Sequence, residues 1–433
     1  MLRIVERIRH TGQPYTNKQK FMVLGLLPTF FMIAGLFLQP PASIVEGIIT
    51  IIREPDFLIT DYIAIGGVGA ALINASLLTY MCIGIVYFLG MEMDGHTITS
   101  SFLMFGFSLF GKNILNIWTI LLGIWVYSKY HKTSVTRYIY IGFYGTSLSP
   151  IITQVMQIWD LPVSVRLLLS LFVGVSIGFL LPPLSTHVYY THKGYSLYNV
   201  GFSSGIIATV IISLFKSFGI KTESRLIWAT GYNELFIVLL TIFFMGLIIA
   251  AVASSPHVFE RYRHILSTYG LGGTDYVKSE GLAPVLMNMG INGLFATAFV
   301  AMIGGDLNGP TLGGIFTIVG FSATGKHLRN IVPIMMGVWL ASFLKTWNIT
   351  DPSPMLALLF STTLAPIAGE FGVFAGLLAG FLHSSMALNV GSVYAGMNLY
   401  NNGFAGGILA AFMVPVILSI RDRKARAKGN ISL

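Results

Sequence analysis

The sequence predicts an all-α integral membrane protein with about 14 transmembrane or half-membrane helices in two tandem, inverted repeats. Three observations carry this prediction. The 433 residues are 54% hydrophobic and only 10% charged, with a mean hydropathy of +0.75, whereas a soluble domain carries about 25% charged residues. Apolar stretches close to the ~20 residues needed to cross a bilayer recur from Phe21 to Ile420. No polar interval between them could hold a separate soluble domain. Finally, the chain is written twice. Residues 67–128 match 281–342 at a constant offset of 214, with 19 identities in 62, and residues 174–208 match 376–410 at an offset of 202, with 14 in 35.

In chain order, a basic stretch (1–20) precedes the first repeat (21–225), the second repeat (226–420) follows, and a basic tail (421–433) closes the chain. The basic start carries Arg3, Arg7, Arg9, Lys18 and Lys20 and shows no small-residue cleavage site, so the stretch from Phe21 reads as a retained span. Hydropathy predicts spans near 21–38, 64–90, 97–110, 113–128, 138–157, 163–182 and 197–216. Their counterparts lie near 230–252, 283–303, 311–324, 328–344, 353–369, 371–385 and 402–419. An odd number per repeat inverts the second copy and leaves both termini on one side. Loop charges have the matching sign. Lys129, Lys132 and Arg137 face only Lys345 and Asp351 in the equivalent loop, whereas the acidic 40–62 interval corresponds to a region with Arg261, Arg263 and Lys278. By the positive-inside rule both termini are cytoplasmic. The net charge of +9 sits largely in these flanks, which argues for topology and against nucleic acid as partner.

The third span of each copy is short and starts from a repeated signature, GMEMDGHT at 90–97 and GGDLNGPT at 304–311. Asp94 and Asn308 stand where an N-cap accepts backbone N–H bonds, with Thr97 and Thr311 three residues on. About fourteen helical residues rise only ~21 Å, so these are half-helices or re-entrant segments whose N-termini can face a solute. Ordinary capped turns at the membrane surface explain the pattern equally well. Asn74 and Asn288 repeat in the preceding span. After the short helix come GFSLFGKN and GFSATGKH. These lack the Ser/Thr after lysine and the preceding strand of a phosphate loop. Lys112 and Lys326 are therefore expected to snorkel to the headgroups as anchors or gates, unless a cavity or a carboxylate receives them.

The later signature, LYNVGF and LYNNGF, places Asn199 and Asn401 at the start of the last span of each copy, with Gly201, Gly205, Gly403 and Gly407 suited to close helix packing. Glu370 is the best lone protonatable coupling group, and an exposed loop carboxylate is the plainer account of it. His187 and His192 are read in a polar stretch before the seventh span, and His383 stands alone. The single Cys82 excludes a disulfide framework and a thiolate metal site, so no metal and no cofactor are expected. GFSSG at 201–205 lacks the strand-turn-helix context of a nucleophile elbow, and no clustered catalytic set points to an enzyme.

The duplicated GFSxxGK and LYNxGF runs resemble an uncharacterised family of bacterial polytopic membrane proteins classed as a domain of unknown function. That resemblance implies a bacterial inner-membrane protein and carries no site residues with it. LNGPTLGG at 307–314 and LYNNGFAGG at 399–407 are also similar to the half-repeat motifs of urea channels, as an analogy of motifs only.

Duplicated membrane folds often place a solute site between their halves. The expected function is secondary transport of a small polar or anionic solute, with the bilayer as partner and a coupling ion and a homo-oligomer both compatible with it. The candidate solute-binding residues are Asn74, Asn288, Asp94, Asn308, Thr97, Thr311, Asn199 and Asn401. Lys112, Lys326 and Glu370 are the candidates for coupling or gating. A passive channel for a neutral solute and a non-transporting assembly or sensor protein are the alternatives.

Overall fold

A computed structural model describes residues 15–158, 161–220 and 225–427. Residues 1–14, with Arg3, Arg7 and Arg9, and the end of the tail from 428 lie outside them. Twenty α-helices form among the described residues, ten per copy, and each helix of the first copy has its counterpart ten places on. In order they are α1 (Asn17–Leu38, bent at Gly25), α2 (Pro41–Arg53), α3 (Tyr62–Gly66), α4 (Val68–Phe88), α5 (Gly95–Phe107), α6 (Trp118–Tyr130), α7 (Ile139–Gly145), α8 (Ser149–Met156), α9 (Val163–His192) and α10 (Asn199–Ser217). The second copy repeats them as α11 (Asn233–Ser254), α12 (Val258–Ser267), α13 (Tyr276–Ser279), α14 (Leu282–Met302), α15 (Gly309–Phe321), α16 (Leu328–Ser342), α17 (Pro352–Phe360), α18 (Ala365–Phe371), α19 (Val373–Val390) and α20 (Asn401–Ala427). One two-residue parallel ladder, β1 (Ile59–Thr60) with β2 (Leu226–Ile227), ties the start of the first copy to the linker between copies.

Nine of these helical segments are long and apolar enough to cross a membrane, and Phe37, Phe88, Phe218 and Phe374 stand 80–88% exposed. The chain is a multi-pass membrane protein of helices. The other five expected spans are short or broken: α5, α6, α15 and α16 have 13 to 15 residues, and α7 and α8 are separated by a 3-10 turn at Thr146–Leu148. Two further differences have plain causes. The amphipathic helices α2 and α12 bury one stripe (Ile44, Gly47, Ile51; Val258, Ile265) and, at 13 and 10 residues, are too short to cross a membrane. Helix α9 runs 30 residues, through Pro182 and Pro183, and ends at His192, so His187 and His192 are helical.

Packing follows the duplication. Within the first copy α1 lies on α4 and α6 on α9, and in the second α11 lies on α14 and α16 on α19. Small residues allow the last contacts: Gly123 meets Gly178, and its counterpart Gly337 packs on α19 where Gly380 packs back on α16. The two copies are joined by helices that pair with their own counterparts, α5 with α15 and α10 with α20.

Candidate functional site

The α5–α15 pair is built by reciprocal capping. Asp94 caps α5, accepting from Thr97 N at 3.0 Å, and Asn308 caps α15, accepting from Thr311 N at 3.2 Å. A carboxylate from the other copy also arrives at each helix start. Asp275, the cap of α13, accepts from Gly95 N at 3.1 Å, and its counterpart Asp61, the cap of α3, accepts from Gly309 N at 3.2 Å. Any Cβ at Gly95 would lie 2.8 Å from the Ala323 carbonyl, and one at Gly309 2.5 Å from the Leu109 carbonyl. The start of each short helix therefore abuts the end of the other, so the pair is antiparallel, with Gly106 near the end of α5 against Gly313 near the start of α15.

Asn74 and Asn288 do not line a cleft. Each spans the turn after its short helix: Asn74 Nδ2 donates to the Ser108 and Lys112 carbonyls at 2.7 and 2.9 Å, and Asn288 Nδ2 to those of Ser322 and Lys326 at 2.8 and 2.7 Å. That brace turns the following lysine inward, and the snorkelling expectation fails. Lys112 and Lys326 are 1% and 0% exposed. Lys112 Nζ donates to the Phe143 carbonyl at 3.2 Å, and Lys326 Nζ to Tyr198 Oη and to Thr362 Oγ1 at 2.7 Å. Neither forms an ion pair among the described residues.

Aromatic rings connect the two lysines. Lys112 lies over Phe107, which contacts Tyr400; Tyr400 contacts Tyr198, which contacts Phe321, and Lys326 lies over both Tyr198 and Phe321. Here α10 and α20 cross, with Gly201 on Gly403. The Tyr-Asn motif thus divides its labour. The tyrosines meet at the centre, while Asn199 and Asn401 reach back to the Ser185 and Ala387 carbonyls at 2.9 and 2.8 Å. His192 Nε2 contacts Asn199 Oδ1 at 2.9 Å, and Tyr394, its counterpart, donates to Asn401 Oδ1.

Two clefts flank this crossing at opposite ends of the α5–α15 pair. The first, of about 400 Å³, lies beside His96 at the start of α5 and descends past Tyr140, Tyr144 and Asn199 to Tyr198, Gly201, Phe321 and Tyr400. The second, of about 280 Å³, is lined at equivalent positions. Gly272, Gly273, Tyr140, Tyr189 and Asn199 of the first answer to Leu58, Ile59, Leu356, Gly391 and Asn401 of the second. It stops at Asn401 and Asn402 and does not reach the tyrosine crossing.

The remaining candidates lie elsewhere. Glu370 accepts from Tyr195 Oη at 2.5 Å and pairs with Arg421 at 3.2 Å, and neither cleft includes it. Thr97 Oγ1 shares a 2.6 Å bond with Tyr140 Oη on the first cleft wall, while Thr311 Oγ1 is buried without a partner. Asp94 also pairs with Lys278 at 3.0 Å. Burial works to raise the Asp94 carboxyl, but Lys278 and the Thr97 N–H outweigh it and hold the group below its ordinary 3.8. A depressed carboxyl contributes stability above its unfolded value and loses it as pH falls through the folded one. Lys278 is 65% exposed, so Lys278→Met should cost less than ~1 kcal/mol in thermal melts at neutral pH. That difference from wild type should vanish once pH falls below ordinary carboxylate values.

Sequence reasoning passed over Asp56 as a loop charge. It is buried, accepting from Tyr62 Oη at 2.6 Å, Asn116 Nδ2 at 2.9 Å and Thr153 Oγ1 at 2.9 Å. Burial lifts its carboxyl to about 7 against the pull of those donors. The folded value is raised, so stability is fully present below the unfolded 3.8 and is lost as pH rises through about 7. Melts from pH 5 to 8 should show a loss of at most ~1.4 kcal/mol per pH unit from this group. Asp56→Asn should remove that component, and an unchanged slope would refute the assignment. The repeated Asn116 and Asn330 were the available signal. Asn116 accepts from Asn113 N, and Asn330 repeats the bond with His327 N.

A family model described as Protein of unknown function (DUF1576) matches residues 40–217 and 254–419, and the chain belongs to that family. The two segments start 214 and end 202 residues apart, the two offsets of the duplication. No curated protein and no solved structure matches the chain.

Proposed function

We propose that this member of an uncharacterised membrane family is a secondary transporter of a small polar or anionic solute. In this reading its repeats are inverted, about 14 segments cross the bilayer, and both termini face the cytoplasm of a bacterial inner membrane. One observation carries the reading: two clefts, lined at equivalent positions and set at opposite ends of an antiparallel helix pair, reach different depths. In a carrier built from inverted halves, exchanging the two halves' conformations exchanges which cleft reaches the centre. The crossing of Tyr198 and Tyr400 is then the partition that both sides approach in turn.

Contacts between helix ends support the topology. Tyr15 bonds Ser254, and Asn17 bonds the backbone of Met91 and Met93, which gathers the starts of α1 and α5 with the end of α11. Glu54 pairs with Arg225 across the ends of other helices. Arg137, beside His96 at the start of α5, and Arg261 and Arg263 on α12, which follows the end of α11, belong to the first gathering, as the positive-inside rule expects of a cytoplasmic face.

The test uses single cysteines in a Cys82→Ala background, labelled with an impermeant maleimide from each face of vesicles. Thr133→Cys and Trp347→Cys should label from opposite faces, and labelling from one face eliminates inversion. Val200→Cys and Asn402→Cys line the first and second clefts. In a carrier, a bulky label at Val200 should suppress labelling at Asn402 in the double variant. Simultaneous full labelling of both would show that the two clefts do not open in alternation and would overturn the carrier reading, and protection of both would indicate a sealed, non-transporting protein.

A further inference from the structure

The charge around the first cleft is one-sided. Among the described residues its lining includes Arg137 and His96 and no carboxylate, and the second cleft has Arg225 and no carboxylate. Directly behind the floor of the first cleft, Lys326 Nζ lies 4.5 Å from the Tyr198 ring centre and 5.2 Å from that of Phe321. Its polar contacts are the hydroxyls of Tyr198 and Thr362. The other titratable groups around it are Tyr144, which stacks on Phe321, Tyr400, which contacts Tyr198, and His327, whose Nε2 is engaged by the Thr268 carbonyl. None of them can supply a negative charge near neutral pH.

An ammonium removed from water without a counter-ion costs several kcal/mol, and hydroxyl dipoles return only part of it. The missing partner is an anion. The cleft volume of about 400 Å³ falls in the range of small-molecule sites. Tyr140, Tyr144, Tyr198 and Tyr400 line it, and an aromatic lining suits a planar apolar body. We propose that the solute is a small organic monoanion with such a body, and that each anion binds together with one proton, which Lys326 holds. The charges balance: the neutral amine, one proton taken up from the bulk solution and the anion become an ammonium and an anion on either side of the Tyr198 ring. The occupied site is electrically neutral, so switching its exposure from one cleft to the other costs less than it would with either charge alone. Lys112, behind Phe107 and Tyr400, is the equivalent group for the second cleft.

This inference rests on the transport reading and deepens it. The experiment is isothermal titration of the purified full-length chain with acetate, benzoate and benzamide, each in two buffers of different ionisation enthalpy. Benzoate should bind at millimolar concentration or tighter with uptake of about one proton per anion. Benzamide, its neutral isostere, should bind at least tenfold more weakly. Lys326→Met should abolish both the binding and the proton uptake. Lys326→Arg should keep anion binding and lose the uptake, because arginine stays protonated; it also tests the idea if the methionine variant fails to fold. Equal binding of benzamide, anion binding without proton uptake in the wild type, or no binding by either anion would each overturn the proposal. If exclusive cysteine labelling is found while no anion binds, transport stands and the anion falls; if labelling is not exclusive, the transport reading fails whatever the titrations give.

Discussion

Gly337→Val should leave little or no folded protein after detergent extraction. A Cβ at Gly337 would lie 2.1 Å from the Leu377 carbonyl oxygen, and one at its neighbour across the interface, Gly380, 2.0 Å from that of Ile334. Both obstructions are helix backbone, which cannot rotate aside as a side chain can, so α16 and α19 would have to separate along their length. Forced insertions into packed cores cost ~1–3 kcal/mol even where side chains can adjust. Here each added methyl meets main chain, and the loss should exceed that range. Native proteins hold only ~5–15 kcal/mol in total. Gly246→Ala on α11, where an added Cβ meets nothing within 4 Å, is the matched control and should change stability by less than ~0.5 kcal/mol. Size-exclusion profiles of the two variants decide the point: a monodisperse Gly337→Val protein melting with the control would show that the close approach of the helices is not what holds them.

The second large effect is expected at Asp61. Its carboxylate is buried and accepts from Ile63 N at 2.9 Å, Ala229 N at 2.9 Å and Gly309 N at 3.2 Å. Asp61→Ala strands all three donors away from water at ~1–3 kcal/mol each, so a loss of several kcal/mol is expected. Asp61→Asn retains one acceptor oxygen and should fall between wild type and alanine. The counterpart Asp275 accepts from Gly95, Val277 and Lys278 N–H groups, and Asp275→Ala should be comparably damaging. Thermal melts of the purified variants give the ranking. If Asp61→Ala matches wild type, the cross-copy cap does not secure the short helices.

Both predictions concern residues that sequence reading treats unequally. Gly123 and Gly337 repeat at the duplication offset, so their shared role is visible in the chain, although their packing partners are not. Asp61 and Asp275 also stand 214 apart, yet they sit outside the aligned block and among other acids, and neither was singled out. The caps Asp94 and Asn308 were legible, because an N-cap is a local event governed by the three residues that follow it. The braces Asn74 and Asn288 were visible as repeated asparagines, but which carbonyls they reach depends on a turn 34 residues away. The lysines were misjudged for the same reason. A Gly-Lys pair beside an apolar stretch reads as a headgroup anchor until the asparagine brace is seen to turn it inward.

Hydropathy and self-similarity determined the class of the protein, the positions of its long helices and its two-copy plan, because membrane insertion selects contiguous apolar length and a duplication leaves identities at a constant offset. The tertiary structure alone decided which loop of one copy caps which helix of the other, since the donors and acceptors involved lie up to 248 residues apart and no period or spacing encodes their meeting. It also decided that two clefts with equivalent linings reach different depths. Near-identical motifs do not determine that difference. Substitutions around them, such as Tyr140 answering to Leu356 and His192 to Tyr394, give the two clefts different linings, and only the first reaches the tyrosine crossing.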